Sequence, residues 1–172
     1  YPVPEEHFCL ACRLFGSAHY GSRLIVEDAP LAEDKPGFKM LDFLAVDRFT
    51  GGGAEKRKFD ALTLYQPAFK LRMFLDCPED WELGWLGLVL RDLAEGWLSL
   101  GYGAAKGLGR VKLEEWSLTF GYLTPEDLPV PLQPGSGNER KGIYRTVRIG
   151  PASGEWKAAV SRWAQAFREK VA

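Results

Sequence analysis

The sequence lacks any apolar run approaching the roughly 18 residues that span a bilayer. It also lacks the charged and then apolar start of a secretory signal peptide. Cysteines number three, and an odd count without a signal peptide is not typical of a disulfide framework. These absences predict a cytoplasmic protein without membrane contact. The chain starts at Tyr1 rather than methionine, so we expect a piece or a processed product of a larger polypeptide.

The sequence also has little net charge. The formal value of −1 argues neither for nor against a nucleic-acid partner as a whole. A nucleic-acid binder needs local positive charge, because neutralising phosphates releases their counterions. Such clusters occur at residues 56–58, 106–112 and 140–148, each beside glycines or in a predicted loop. Each cluster is also explained by an ordinary solvated surface.

The hydrophobic pattern has two periodicities, which together predict the α+β class. Apolar residues make up 46% of the chain, enough for one domain with a core. Residues 31–39 are predicted as a polar loop and residues 123–142, rich in proline and glycine, as a linker. The predicted strands are 24–28, 43–49, 59–65, 69–75, 111–120 and 144–149, and the predicted helices are 80–97 and 156–171.

A glycine-rich loop at residues 101–110 is the most informative segment. Glycine allows positive φ and lets backbone N–H groups approach a ligand, and cations between the glycines add positive charge for phosphates. The Gly-Lys-Ser/Thr ending of a Walker A loop is missing. The loop also follows a predicted helix and opens a strand, the reverse of a dinucleotide fingerprint. The alternative is a glycine-rich turn without a ligand.

The predicted hairpin at residues 43–66 has a glycine-rich tip that carries Phe49 and a basic flank. An aromatic side chain at such a tip can wedge between bases while cations hold phosphates. Asp47 in the tip suits a general base or a ligand of a divalent metal such as Mg²⁺. The alternatives for Asp47 are a surface ion pair with Arg48 or a brace of the hairpin.

Near the start, Cys9 and Cys12 form a Cys-x2-Cys pair, which is half of a zinc site. His7 and His19 are nearby in the sequence, whereas Cys77 is not obviously close. The alternatives are two packed, inert cysteines or a redox pair.

These segments resemble the RAMP (repeat-associated mysterious protein) superfamily of CRISPR RNA-guided effectors. Residues 101–111 resemble the family's glycine-rich loop, and the Asp-Arg-x-Thr-Gly motif that begins at Asp47 resembles its thumb hairpin. Three motifs near the start, at residues 14–17, 21–24 and 28–29, follow the family's order, so the resemblance covers roughly residues 9–121. It implies a partial ferredoxin-like or RRM-like domain with a long thumb hairpin and a C-terminal helical tail.

The resemblance also implies function: a guide-RNA-binding backbone segment of a type III or type III-derived effector that distorts the guide–target duplex. The alternative is a target-RNA endoribonuclease with Asp47 at the cleavage site and a divalent metal ion. The zinc of some family members would suit Cys9 and Cys12. Implied RNA contacts are Arg23, Arg48, Phe49, Thr50, Gly51, Gly52, Lys56, Gly101, Gly103, Lys106, Gly107, Gly109 and Arg110.

The sequence departs from complete family members at its start, where their first strand and loop have no counterpart. The resemblance therefore predicts that residues 1–122 are the second part of a RAMP domain and residues 123–172 an extension. The expected partners are guide RNA, target RNA, other RAMP subunits or domains, and the missing first part of the domain. An interaction module without an RNA role is the third interpretation.

Overall fold

The structure, a computed structural model, describes residues 7–33, 35–134 and 140–172. The first six residues of the predicted domain, residue 34 of the predicted polar loop and residues 135–139 of the predicted linker lie outside the described residues. The helices are α1 (Leu10–Phe15), α2 (Asp80–Ala94) and α3 (Gly154–Val171), and the strands are β1 (Leu24–Val26), β2 (Gly37–Val46), β3 (Gly53–Tyr65), β4 (Met73–Leu75), β5 (Leu118–Tyr122), β6 (Arg140–Lys141) and β7 (Tyr144–Ile149).

The mixed α+β class predicted from the sequence is confirmed. Among the residues described, the strands form three small sheets, β1–β4, β2–β3 and β5–β7–β6. All their pairings are antiparallel. The chain divides into two compact units, Tyr1–Asp76 and Cys77–Ala172. The division after residue 122 into a RAMP domain and an extension stays a prediction.

The hairpin β2–β3 is longer at its base than the predicted range 43–66. It begins at Gly37, which pairs with Tyr65, so its first strand covers part of the predicted polar loop. The register shifts between Leu44 and Val46, where a bulge precedes the tip. Lys56, on the opposite strand, has a positive φ of 57°. Such irregularities increase local twist and re-aim the end of a hairpin.

The two faces of the hairpin differ in their side chains. One face carries Phe43 and Phe59, whose rings stack with centroids 5.2 Å apart. On the other face Asp42 lies directly opposite Asp60. Lys58 approaches Asp42 to 3.3 Å, and hydrogen bonding to Asp60 and then to Lys58 lowers the pKa of Asp42. Exposed apolar side chains surround this acidic pair, namely Phe38, Met40, Leu44, Leu62 and Leu64.

The core of the first unit is small. Leu14 on α1 and Leu24 on β1 are its buried hydrophobic residues within the described part of the chain. The Ser22 hydroxyl lies 3.2 Å from the Leu14 carbonyl oxygen and 2.6 Å from that of Leu24, which ties the helix to the strand. β1 pairs with β4 over three residues only, so the predicted strand 69–75 is shorter than expected.

The second unit has a larger core centred on Trp163 of α3, which is fully buried. The Trp163 indole N–H donates to the Val130 carbonyl at 2.9 Å, so its polar atom is paired. α2 packs on α3 at Gly84, where an added Cβ would overlap the Trp163 carbonyl. Glycine here allows the close approach of the two helices, despite its low helix propensity.

The sheet β5–β7–β6 closes the second unit. Phe120 of β5 faces Trp163, with ring centroids 5.8 Å apart, and Val147 and Ile149 of β7 are buried on the same face. The predicted strand 111–120 is wrong in its first part, because pairing with β7 begins at Leu118. The predicted strand 144–149 and the closing helix are confirmed. Within the described ranges, no helix is long and apolar enough to cross a membrane.

Candidate nucleic-acid interface

The two ends of the glycine-rich loop are hydrogen-bonded to each other, whereas its middle, residues 101–107, faces solvent. We call these middle residues the crown of the loop. The Leu100 amide donates to the Gly109 carbonyl at 2.8 Å, and Ser99 pairs with Arg110 as a β-bridge. A short 3₁₀ turn at Ala104–Lys106 lies between these ends. All four glycines have positive φ, between 74° and 86°. Four left-handed positions in nine residues explain why the loop needs glycine there.

The four glycines serve two different needs. A Cβ on Gly109 would overlap the Leu100 carbonyl, and one on Gly103 would lie 2.9 Å from the Leu108 side chain. Gly101 and Gly107 instead face open space. The amide N–H groups of Gly101 and Tyr102 donate to no other group in the described chain. The crown therefore presents backbone donors that are accessible to an anion.

The cations of the loop lie at its crown and its exit. The Lys106 ammonium lies 5.3 Å from the centroid of the Tyr102 ring, and that ring is 82% exposed. This cation–π contact places a positive charge beside an accessible aromatic face. Arg110 is exposed and forms no ion pair with any residue that the structure describes. The loop thus combines backbone donors, two cations and one aromatic ring.

The tip of the hairpin is held by Asp47. Its Oδ1 accepts hydrogen bonds from the Phe49 amide at 2.7 Å and the Thr50 amide at 3.0 Å. The backbone adds a bond from the Gly51 amide to the Asp47 carbonyl and one from the Asp47 amide to the Gly52 carbonyl. The amides of Thr50 and then Phe49 hold the pKa of Asp47 below its usual value. Asp47 is therefore ionised at neutral pH, in the geometry of a turn brace.

The same tip projects its aromatic side chain. Phe49 is fully exposed, and Thr50 places its hydroxyl oxygen 3.4 Å from the Gly52 amide. Arg48 makes no ion pair within the described residues, so the predicted alternative of an Asp47–Arg48 salt bridge is wrong. The bracing carboxylate leaves both Arg48 and Phe49 accessible at the tip.

Cys9 and Cys12 lie at the start of α1. The Cys12 amide donates to the Cys9 sulfur at 3.4 Å, which makes Cys9 the N-cap of the helix. Hydrogen bonding from Cys12 lowers the pKa of Cys9, while the bond to Cys9 raises that of Cys12. In the described ranges, no three His, Cys, Asp or Glu side chains gather as a metal site. Structural zinc requires four ligands, so a zinc ion at this pair would need two more ligands.

The predicted RNA-contacting residues fall into separate groups. Phe49 and its neighbours lie at the hairpin tip of the first unit, and the glycine-rich loop belongs to the second unit. Arg23 is half-buried before β1, where its amide donates to Leu14 and its carbonyl accepts from Asp76. Lys56 is exposed on β3, beyond the bulge.

A family model of the RAMP superfamily matches residues 2–112. The chain belongs to the RAMP superfamily. No curated protein matches the chain. The match spans the hairpin and the glycine-rich loop, and the predicted resemblance to the RAMP superfamily is confirmed. RAMP superfamily proteins bind RNA in CRISPR systems, and the mixed α+β structure with its C-terminal helix is consistent with a RAMP domain.

Proposed function

We propose that this RAMP protein is a backbone segment that holds the guide RNA of a CRISPR effector. The observation that carries the proposal is the crown of the glycine-rich loop. There, the amides of Gly101 and Tyr102 have no hydrogen-bond partner among the described residues, and the Lys106 ammonium lies 5.3 Å from the centroid of the Tyr102 ring. A phosphate accepts hydrogen bonds from such amides, and the cations add an attraction that is independent of sequence. Base pairing by the guide would then read the target.

The hairpin tip supports a second part of the proposal, distortion of the guide–target duplex. Phe49 is fully exposed beyond a tip that Asp47 fixes with two hydrogen bonds. A rigid tip with a projecting aromatic ring suits insertion between bases, since stacking on a ring compensates for lost base stacking. Arg48 and Lys56 supply positive charge for the neighbouring phosphates.

The proposal is tested by binding the chain, alone and in its effector complex, to a labelled guide RNA across a salt series. We expect the Lys106→Ala/Arg110→Ala variant to bind more weakly, with a log–log salt slope reduced by about 1.4, or about 0.7 per lost phosphate contact. The matched control is Lys157→Ala/Lys170→Ala, which removes two exposed cations from α3. Equal binding of both variants, in the complex as well, would contradict the proposal.

A second candidate function is cleavage of the target RNA at Asp47. The carboxylate is half-buried and ionised beside Phe49, and its Oδ1 accepts the two amide hydrogen bonds of the turn. Its other oxygen is the one suited to bind a metal ion. A lowered pKa makes a weak general base, so Mg²⁺ or another divalent ion would activate the nucleophile.

Two variants separate cleavage from bracing. Asp47→Asn retains an acceptor for the amides of Phe49 and Thr50 but loses the negative charge. Asp47→Ala loses both. A cleaving Asp47 predicts loss of metal-dependent target cleavage in both variants with guide binding kept. Unchanged cleavage in Asp47→Asn would assign Asp47 to the turn alone.

The remaining expectations belong to the same proposal. The partners would be target RNA and other RAMP subunits or domains, including one that supplies the first part of the domain. The site of action would be the cytoplasm. Cys9 and Cys12 would hold zinc together with ligands from outside the pair, and zinc analysis of the purified complex, with a Cys9→Ser/Cys12→Ser control, tests that assignment.

A further inference from the structure

The sheet β5–β7–β6 has an outer face that lies outside the RAMP match and that includes two cations of the basic cluster at residues 140–148. Along β7, Tyr144, Thr146 and Arg148 share this face, because alternate residues of a strand point to the same side. Directly opposed residues of an antiparallel pair also share a face. Lys141 faces Tyr144, and Arg148 faces Thr119.

The opposite face of this sheet is filled by the core, which fixes the orientation of the outer face. Val147 and Ile149 are buried, and Phe120 contacts Trp163 of α3. A one-residue slip would expose these apolar side chains and bury Arg148, so the register is well determined. Tyr144 and Arg148 are therefore held on the exposed side by the packing of their neighbours.

The outer face is flat around its aromatic ring. Tyr144 lies over Gly121, where an added Cβ would lie 3.6–3.9 Å from atoms of the tyrosine side chain. The glycine has no side chain to rise beside the ring, and Tyr144 remains 46% exposed. A strand glycine beside an exposed aromatic leaves room for a planar group to approach.

The face is also basic. Of the four cations in residues 140–148, Lys141 and Arg148 lie on this face, whereas Arg140 and Arg145 oppose each other on the other face. Residues 140–148 contain no carboxylate, and neither Lys141 nor Arg148 forms an ion pair in the described ranges. The paired residues of the outer face are Lys141, Tyr144, Thr146, Arg148, Thr119 and Gly121. An aromatic ring among cations, hydroxyls and no acid is complementary to a base and its flanking phosphates.

We propose that this face binds single-stranded RNA, with one base stacked on Tyr144 and phosphates held by Lys141 and Arg148. The choice of RNA follows from the charge of the face and from the RNA-binding family to which the chain belongs. The surface is distinct from the glycine-rich loop and from the hairpin tip, so it would hold a different stretch of RNA.

The test is the affinity of the full chain for a fluorescein-labelled oligouridine, compared between variants. Tyr144→Ala should bind about tenfold more weakly, whereas Tyr144→Phe should retain most of the affinity. Lys141→Ala/Arg148→Ala should lower the log–log salt slope by about 1.4. Lys157→Ala/Lys170→Ala is again the control with matched charge, and circular dichroism checks that each variant folds.

The outcomes separate this inference from the proposed function. Weaker oligouridine binding in the sheet variants with unchanged binding in Lys106→Ala/Arg110→Ala would support the sheet as a separate RNA site, while guide-RNA binding in the complex still tests the loop. The reverse result would overturn the inference. It would also be overturned if the sheet variants bound oligouridine as well as the α3 control does, since the cations of the sheet would then form no defined RNA site.

Ultraviolet crosslinking of the wild-type protein to oligouridine is an independent measurement. It should label the peptide that contains Tyr144, and labels confined to other peptides would overturn the inference.

Discussion

The two cysteines of the Cys-x2-Cys pair are chemically different, although they are separated by less than one helical turn. Cys9 accepts the Cys12 amide and is exposed, and its pKa is lowered. Cys12 is half-buried, and its pKa is raised by its hydrogen bond to Cys9. The nucleophile in alkylation and in metal binding is the thiolate, so the two residues should react at different rates.

We predict that iodoacetamide at neutral pH modifies Cys9 faster than Cys12 in the metal-free protein. The lowered pKa gives Cys9 the larger thiolate fraction. Peptide mass spectrometry after timed quenching measures both rates in one sample. Replacing Cys12 with serine keeps the backbone amide, which is the larger cause of the lowered pKa of Cys9, and changes only the side-chain partner. Cys9 should therefore remain reactive in that variant. Equal rates at the two residues would contradict this assignment.

At the scale of elements, the pairing of α2 with α3 depends on one glycine. Gly84 and Gly87 lie on the same helix, but their surroundings differ. A Cβ on Gly84 would overlap the Trp163 carbonyl, whereas one on Gly87 would make an ordinary contact of 3.8 Å with Val160. The two positions therefore separate helix propensity from steric fit.

We predict that Gly84→Ala lowers the free energy of unfolding by about 2 kcal/mol, because the helices must move apart. Gly87→Ala should instead be neutral or raise it by up to about 1 kcal/mol, since alanine favours the helix. Urea unfolding followed by tryptophan fluorescence measures both changes. A destabilisation of similar size in both variants would show that the close approach at Gly84 is not what limits substitution.

Individual helices and strands were predictable from local sequence patterns where one of their faces is buried. Alternation identified β7 and helical spacing identified α3, because each has one buried face. The base of the hairpin was missed, since Lys39 and Asp42 lie among apolar residues that are also exposed, and no burial pattern results. Residues 111–117 alternate like a strand but have no strand pairing, which only the tertiary structure decides.

The parts of the candidate site that were predictable are those where glycines and short motifs determine the backbone conformation. Four glycines, with Lys106 between them and Arg110 beside them, predicted the open loop, and the Asp-Arg-x-Thr-Gly motif predicted the tip. The bracing role of Asp47 was one of the alternatives considered, and geometry was needed to identify its amide partners. For the outer face of the third sheet, the sequence showed only the basic cluster at residues 140–148. The meeting of Tyr144 with Lys141 and Gly121 was not predicted, because it depends on the register of β5, β6 and β7.

At the scale of the whole molecule, buried hydrophobic residues are distributed unevenly. In the described parts of the chain, the first unit has two buried hydrophobic residues, Leu14 and Leu24, whereas the second unit has ten. The hairpin instead exposes large apolar side chains on its surface. Little burial and solvated backbone bonds are features of a region that opens easily.

We predict that amide hydrogen exchange of the isolated chain is fast in β2 and β3 and slow in α2, α3 and β7. Assembly with RNA and the effector partners should slow exchange in the hairpin far more than in the second unit. Exchange followed by mass spectrometry, before and after assembly, measures this difference. If the amides of β2 and β3 exchanged as slowly as those of α3 in the isolated chain, this prediction would be contradicted.

Asp42 and Asp60 face each other across the hairpin, and Lys58 lies beside Asp42. These charges restrict which partner surfaces can cover that face of the hairpin. Two acids and one cation leave a net negative charge that is costly to remove from water. A partner that brings a cation to this point balances the charge. A partner that brings none leaves this charge without compensation and would bind more weakly. The charge that a partner places over Asp42 and Asp60 therefore decides how well it covers this face of the hairpin.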